Sequence, residues 1–278
     1  MPKKSLVWLA SYPKSGNTWT RVFLANYLFN RREPMPINEV HRVGMGDSIP
    51  QTYARVAGGG PFDPGDHKRA LTLRPRVLRA IVANNADVNF VKTHNARTTA
   101  FGTELVPTAL TRSAVYILRH PLDVACSYAR HYAMTPEKAL EAMGREDNIV
   151  VGNEASVPQY LGSWAGHLRS WTRHRDFPVL VLRYEDLLAD PEEGFARVLE
   201  LIGMPIDRER LSRAVRFSDF EELSSQEAKN GFIEKSPAAE RFFHQGGSGR
   251  WREVLSPDAA AAFAAANAKT MEARGYAL

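Results

Sequence analysis

Three short polar stretches carry side chains able to hold and move an anionic group. The first, Lys14-Ser15-Gly16-Asn17-Thr18, follows the apolar run Val7-Trp8-Leu9-Ala10 and precedes Trp19, Val22, Phe23 and Tyr27 at three- and four-residue steps. That order predicts strand, loop and helix, with the helix opening near Asn17 and Thr20 and Arg21 falling between its apolar positions. The first amides of a helix lack partners within it and its dipole is positive there, so the loop offers donors and charge to a phosphate. Ser, Asn and Thr beside Gly also make ordinary turns and caps, and the segment alone leaves that reading open. It is not a Walker A loop, because its only Lys precedes its only Gly, which disfavours an ATPase or GTPase.

The second stretch, Lys92-Thr93-His94, ends the predicted strand Val88-Asn89-Phe90-Val91. A cation, a hydroxyl and an imidazole thus emerge together at the edge where open α/β sheets bind ligands. Taken alone, His94 reads as a structural, hydrogen-bonded histidine, one of eight in the chain. The third stretch joins Arg119, at the tip of the strand Ala114-Val115-Tyr116-Ile117-Leu118, to Ser127, two turns into a helix that Pro121 and Asp123 suit as its first turn. The two side chains are placed to converge on one anion. Without context, Arg119 is a surface ion-pair residue and Ser127 a neutral helix position.

The elements that must position these residues follow from periodicity. Further helices are expected over residues 76–84, 137–143 and 161–173, and around Phe195, Val198, Leu199 and Ile202, where Gly203 is the stop. A fourth strand is expected at Val179-Leu180-Val181-Leu182, residues 31–65 as mostly loop, and residues 134–159 as an excursion and candidate lid. Four apolar strands separated by helical segments predict an α/β fold: residues 1–278 as a single domain, a mostly parallel central sheet flanked by helices, and a P-loop NTPase-like phosphate loop after the first strand.

At 278 residues, 44% hydrophobic and 24% charged, the composition is globular. The net charge of +5 and pI near 9.3 fit an anionic ligand, but the basic residues are interspersed with acidic ones, so nucleic-acid binding is not implied. The single cysteine, Cys126, excludes an intrachain disulfide and a multi-cysteine metal site and favours a reducing compartment. The apolar residues before Ser11 are too few for a signal-peptide core and no run reaches membrane-spanning length, so a soluble, cytoplasmic protein is expected.

Tyr12-Pro13-Lys14-Ser15-Gly16-Asn17-Thr18-Trp19 resembles, at every position, the 5′-phosphosulfate loop of sulfotransferases that use 3′-phosphoadenosine 5′-phosphosulfate (PAPS). Lys92-Thr93-His94 resembles the same family's catalytic segment, and Arg119 with Ser127 its 3′-phosphate signature. The resemblance implies His94 as general base, Lys14 and Lys92 against the sulfuryl group and its bridging oxygen, and Lys14, Ser15, Gly16, Asn17 and Thr18 around the phosphosulfate. It implies Trp19 and Phe220 as an adenine sandwich, with Tyr184 of Arg183-Tyr184-Glu185-Asp186-Leu187 and Ser218 nearby. His244-Gln245-Gly246-Gly247-Ser248-Gly249-Arg250-Trp251 resembles the closing Arg-Lys-Gly-x-x-Gly-x-Trp segment, with Gly246 and Gly249 approaching the ligand. There, His244 and Gln245 replace the Arg-Lys pair that grips the 3′-phosphate, so Arg250 or Arg241 is expected to supply the charge.

The activity so implied is transfer of a sulfuryl group from PAPS to a hydroxyl or amine, leaving adenosine 3′,5′-bisphosphate (PAP), with no metal. The acceptor, a small molecule, glycan or lipid, is not readable, although Met45, Ile49, Tyr53 and Phe62 are candidates to line its pocket. Monomer and homodimer both stay open. A small-molecule kinase on a related nucleotide-binding fold, or a non-catalytic nucleotide-binding protein, is the alternative.

Overall fold

The computed structural model describes residues 4–244 and 246–278. Its core is one five-stranded parallel sheet: β1 (Leu6–Ser11), β2 (Met45–Gly46), β3 (Asn89–Thr93), β4 (Thr111–Leu118) and β5 (Val179–Arg183), in spatial order β2-β3-β1-β4-β5. The four apolar segments of the sequence are its four long strands. All six residues of the central β1 are buried, as a strand covered on both faces requires. Trp8 and Ala10 pack on one face with Tyr116 and Leu118, whereas Val7 and Leu9 pack on the other with Val115 and Ile117.

Helix α1 (Asn17–Phe29) follows the phosphate loop, with Gly16 at its N-cap in the left-handed region at φ 104°. Trp19, Val22, Phe23 and Tyr27 pack as the periodicity implies, but Thr20 and Arg21, read as intervening polar positions, are buried too. Beyond it lie α2 (Pro50–Val56), α3 (His67–Ile81), α4 (Pro121–Tyr132), α5 (Pro136–Gly144), α6 (Trp164–Thr172), α7 (Tyr184–Ala189) and α8 (Pro191–Ile202). The chain closes with α9 (Arg208–Arg216), α10 (Phe220–Asn230), α11 (Trp251–Val254) and α12 (Pro257–Glu272).

Residues 31–65 are mostly loop, as expected, interrupted by a 3₁₀ helix (Ile37–Arg42), the edge strand β2 and α2. One expectation needs correction. The helix expected over 76–84 is α3, which starts at His67 behind an Asp66 side-chain cap and runs through Pro75. Proline removes one intrahelical donor, and here it masked a continuous amphipathic helix.

Because β1, β3, β4 and β5 run parallel, their C-terminal ends share one edge of the sheet. Tyr12, His94, Arg119 and Tyr184 are the first residues beyond those ends, so the chemistry-bearing loops converge by topology.

Candidate active site

A cavity of about 930 Å³ opens at this edge. It is lined by Lys14, Gly16, Asn17, Thr18 and Trp19 of the phosphate loop, by Lys92 and His94, by Arg119 and Ser127, and by Tyr184, Ser218, Phe220 and Gly246. Ser15, Gly249 and Arg250 do not line it. Ser15 is buried behind the loop, its hydroxyl without a partner among the described residues. Arg250 is exposed, and the Gly249 amide is committed to Asp123, donating to Oδ2 at 2.7 Å. Arg241 does reach the cavity, as do His244 and, from α4, Arg130 and His131. Gln245 lies outside the described residues.

The phosphate loop is locked from several sides. Lys14 sits in the left-handed region at φ 69°, its Nζ 3.8 Å from the centroid of Phe242. Burial, with Lys92 and Arg119 close by, pulls its ammonium down to about 7. A Cβ on Gly16 would lie 2.8 Å from the Tyr184 ring, so only glycine fits there. Arg119 straps the loop to the glycine segment, donating to Lys14 O (3.3 Å) and Gly247 O (3.0 Å) while its guanidinium lies over the Tyr184 ring at 4.4 Å. Buried polar atoms around the loop have no partner among the described residues: Ser15 Oγ, Asn17 Oδ1 and Arg119 Nε. Unpaired buried polar atoms are costly, and of the three only Arg119 Nε is a donor on a residue that lines the cavity beside the helix-start amides.

His94 is held in one tautomer. Its Nδ1 is 2.9 Å from the carbonyl of Ser11 and 3.2 Å from the Ser11 hydroxyl. A carbonyl only accepts, so Nδ1 carries the proton and Nε2 keeps its lone pair. Burial first, and then the Lys92 charge, hold its pKa down to about 3, which leaves the imidazole neutral across the physiological range. Asn17 donates to the same Ser11 hydroxyl (3.3 Å) and to Leu9 O (2.8 Å), tying the imidazole to the phosphate loop. Behind it, His167 Nε2 is 3.0 Å from the His94 carbonyl and its Nδ1 is 2.8 Å from Tyr116 Oη.

The residues flanking His94 are anchored by a buried ion pair. Asp47, 1% exposed, pairs with Arg74 (2.6 Å) and accepts from Thr93 Oγ1 (2.7 Å), Asn95 Nδ2 (3.1 Å) and Ser48 Oγ (2.8 Å). The Arg74 charge and these donors outweigh burial and keep its carboxyl below the usual carboxylate range. Of the apolar candidates of residues 31–65, Ile49 lines the cavity. Tyr53 instead joins the Asp47–Arg74 cluster and stacks on Phe62 (5.8 Å), and Met45 lies on the edge strand. Ser218 lines the cavity, but its hydroxyl donates back to α9 at Ala214 O (2.9 Å).

Sequence reasoning missed Ser11, Asp47, Arg74, Arg130 and the pair Arg21–Glu234. Arg130 was detectable, three residues after Ser127 and so on the same helix face. Glu234 sits in a stretch without periodicity and gave no signal. His120 is structural: Nε2 lies 3.0 Å from Ala277 O, Nδ1 accepts from Leu122 N, and the ring stacks on Trp251.

A parallel sheet whose strand tips gather a phosphate loop, buried lysines and a neutral imidazole defines a nucleotide-binding, group-transfer fold. The family model described as the sulfotransferase domain matches residues 4–275, and the chain belongs to that family. Sulfotransferase 1A1 of Bos taurus is 30% identical over 164 residues, 56% of this chain and 54% of its own length, so in that match the chain spans little more than half of the relative. Sulfotransferase 1 family member D1 of Rattus norvegicus is 23% identical over 260 residues, covering 90% of this chain and 78% of the relative. Among solved structures, a mouse sulfotransferase complexed with PAP superposes with a TM-score of 0.63 at 20% identity, covering 97% of this chain and 85% of that one. Retinol dehydratase in complex with androsterone and PAP gives 0.62 at 20% identity, covering 97% and 81%. At such identities these structures speak to the fold. No helix among the described residues is long and apolar enough to cross a membrane.

Proposed function

We propose that residues 1–278 act as one sulfotransferase domain that moves a sulfuryl group from PAPS to a hydroxyl or amine of an acceptor. The observation that carries this reading is His94, whose free Nε2 shares one cavity with Lys14, Lys92 and the start of α1. The residues fit the donor. Lys14 and the α1 amides offer donors at the phosphate loop, Arg119 and Ser127 lie one strand over, and Trp19 and Phe220 supply apolar faces for adenine. Arg130 and Arg241 are the cavity cations that stand in for the family's Arg-Lys pair at the 3′-phosphate. When bound, the donor supplies an activated sulfuryl group on a phosphate leaving group.

His94 Nε2 takes the acceptor proton while its Nδ1–H stays with Ser11, so the ring keeps its orientation as charge develops. The low pKa arises from burial and Lys92, and an anion against Lys92 offsets the second cause, making the imidazole more basic once the site is filled. Lys14 neutralises charge on the departing phosphate oxygen and Lys92 charge on the sulfuryl oxygens. The acceptor takes the remaining side of the cavity, lined by His41, Ile49, Val150, Ser156, Gln159 and Ile233. Its mixed lining suits an amphipathic small molecule, a glycan or a lipid. The cytoplasm is the compartment in this reading, in keeping with a single buried thiol, Cys126, that burial pushes up to about 11.

Thermal unfolding with PAP, ATP and GTP tests the proposal, because a ligand of the native state raises the midpoint. The expected result is a concentration-dependent rise with PAP and little with ATP or GTP. A larger rise with ATP than with PAP would replace this reading with a kinase.

A further inference from the structure

Arg21 is a buried cation in α1, 1% exposed, and its described partner is a carboxylate from far along the chain. Its Nη1 and Nη2 donate to Glu234 Oε2 (3.0 Å) and Oε1 (2.6 Å), a two-bond fork. Lys92 Nζ, on β3, donates to the same Oε2 at 3.0 Å. Glu234 therefore joins the helix after the phosphate loop to the lysine beside His94.

Glu234 is itself fixed by the backbone that carries it. Ile233 N donates to Asn38 Oδ1 (2.9 Å), Asn38 Nδ2 donates to Gly231 O (3.3 Å), and Phe232 is buried against Val22, Ile37, Val40 and Leu223. The returning arm of the segment is held as firmly, with Phe242 N and Phe243 N donating to the two oxygens of Glu227 at 2.7 and 2.8 Å. Residues 231–243 thus form an anchored roof over both active-site lysines, one touching Phe242 and the other Glu234.

We propose that Glu234 is a positioning residue for sulfuryl transfer: braced by Arg21, its carboxylate fixes where the Lys92 ammonium points and keeps it charged. The inference rests on the sulfotransferase reading above. An ammonium has three donors, and one spent on Glu234 leaves two for the oxygens of the transferring group. Burial works against the Lys92 charge and Glu234 is the largest influence restoring it. The carboxyl stays ionised because Lys92 and Arg21 outweigh its own burial. A carboxylate between two cations also leaves a net positive floor, so the pair orients without cancelling attraction for an anionic donor.

Two measurements test this. In the first, Lys92 is followed by NMR titration after reductive ¹³C-methylation, a readout that needs neither donor nor turnover. Glu234→Gln should lower the Lys92 pKa by about one unit or more, the shift an opposite charge at this distance causes. An unchanged Lys92 titration would overturn the proposal. In the second, turnover and PAP affinity are compared in Glu234→Gln, Glu234→Asp and the double variant Arg21→Met/Glu234→Gln. The expected result is a fall in kcat of roughly ten- to hundredfold in Glu234→Gln, with PAP affinity unchanged or a few-fold tighter. Glu234→Asp should recover part of the loss. If Glu234 served only to neutralise a buried arginine, removing both partners would restore kcat, and that outcome refutes the positioning role. Should Glu234→Gln fail to fold, the double variant, relieved of the unpaired guanidinium, carries the test: low kcat with intact PAP binding supports the proposal and wild-type kcat overturns it. Failure of the wild type to bind PAP would sink the sulfotransferase reading instead, while the Lys92 titration still decides the contact.

Discussion

Lys14 makes the affinity of the site for a phosphate depend on pH in a calculable way. Its folded-state pKa is about 7 instead of 10.5, so as pH rises through about 7 the ligand-free site loses a positive charge. Binding the 5′-phosphate of PAP restores that charge, at a free-energy cost that grows above the lowered pKa. At pH 7 about half the sites hold the ammonium, and at pH 9 about one in a hundred does. Affinity should therefore fall by roughly fiftyfold between these values, or about 2.3 kcal/mol. Phosphate ionisation does not confuse the window, since its second pKa is about 6. Nor do His94 and His131: burial, reinforced by nearby lysines, holds His94 at about 3 and His131 at about 4, so both are neutral throughout. Isothermal calorimetry with PAP at pH 7, 8 and 9 reads the slope directly. Lys14→Arg, whose charge does not titrate, should flatten it. A wild-type affinity constant within threefold over this range, or an equal slope in Lys14→Arg, would refute the account.

Other expected outcomes follow from the same geometry. His94→Ala should lower turnover by roughly 10²- to 10⁴-fold and leave PAP affinity nearly intact, and a calorimetric loss matching the kinetic one would contradict a proton-transfer role. Arg130→Ala and Arg241→Ala should each weaken PAP by about 1.5–3 kcal/mol while changing adenosine 5′-phosphate little, whereas Arg250→Ala, outside the cavity, should leave both near wild type. Equal losses for the two nucleotides would remove these arginines from the 3′-phosphate. Asp47→Ala strands the buried Arg74 guanidinium and should cost about 3–5 kcal/mol in urea unfolding, so a loss below about 1 kcal/mol would show that water or repacking relieves the charge.

Much of the sheet was legible because each long strand is a short, continuous apolar run, and a parallel strand buried on both faces has to look so. Lys14, Lys92, His94, Arg119 and Ser127 were singled out from the strand ends only with the help of the family resemblance, and they line one cavity. What stayed hidden was held by contacts between distant segments. Arg21 looked like an exposed helix position because nothing nearby in sequence announces Glu234. Asp47 lay in a proline-rich stretch read as loop, yet the hydrogen bonds converging on it fix the residues on both sides of His94. Helix α9 went unnoticed because its buried face consists of Leu211 and Ala214 alone. The Gly249 amide, expected at the ligand, is taken by Asp123, a residue first read only as a favourable charge in the opening turn of α4.

Tyr184 acts as a spacer. One ring packs against Gly16 at the start of α1, meets Trp19 edge-on at 5.5 Å, and supports the Arg119 guanidinium at 4.4 Å. The position of Arg119 over the phosphate loop is thus fixed through one aromatic ring as well as through its own hydrogen bond to Lys14 O. Removing that ring in Tyr184→Ala should loosen the start of α1 and the Arg119 guanidinium together, so a single substitution would be felt at both.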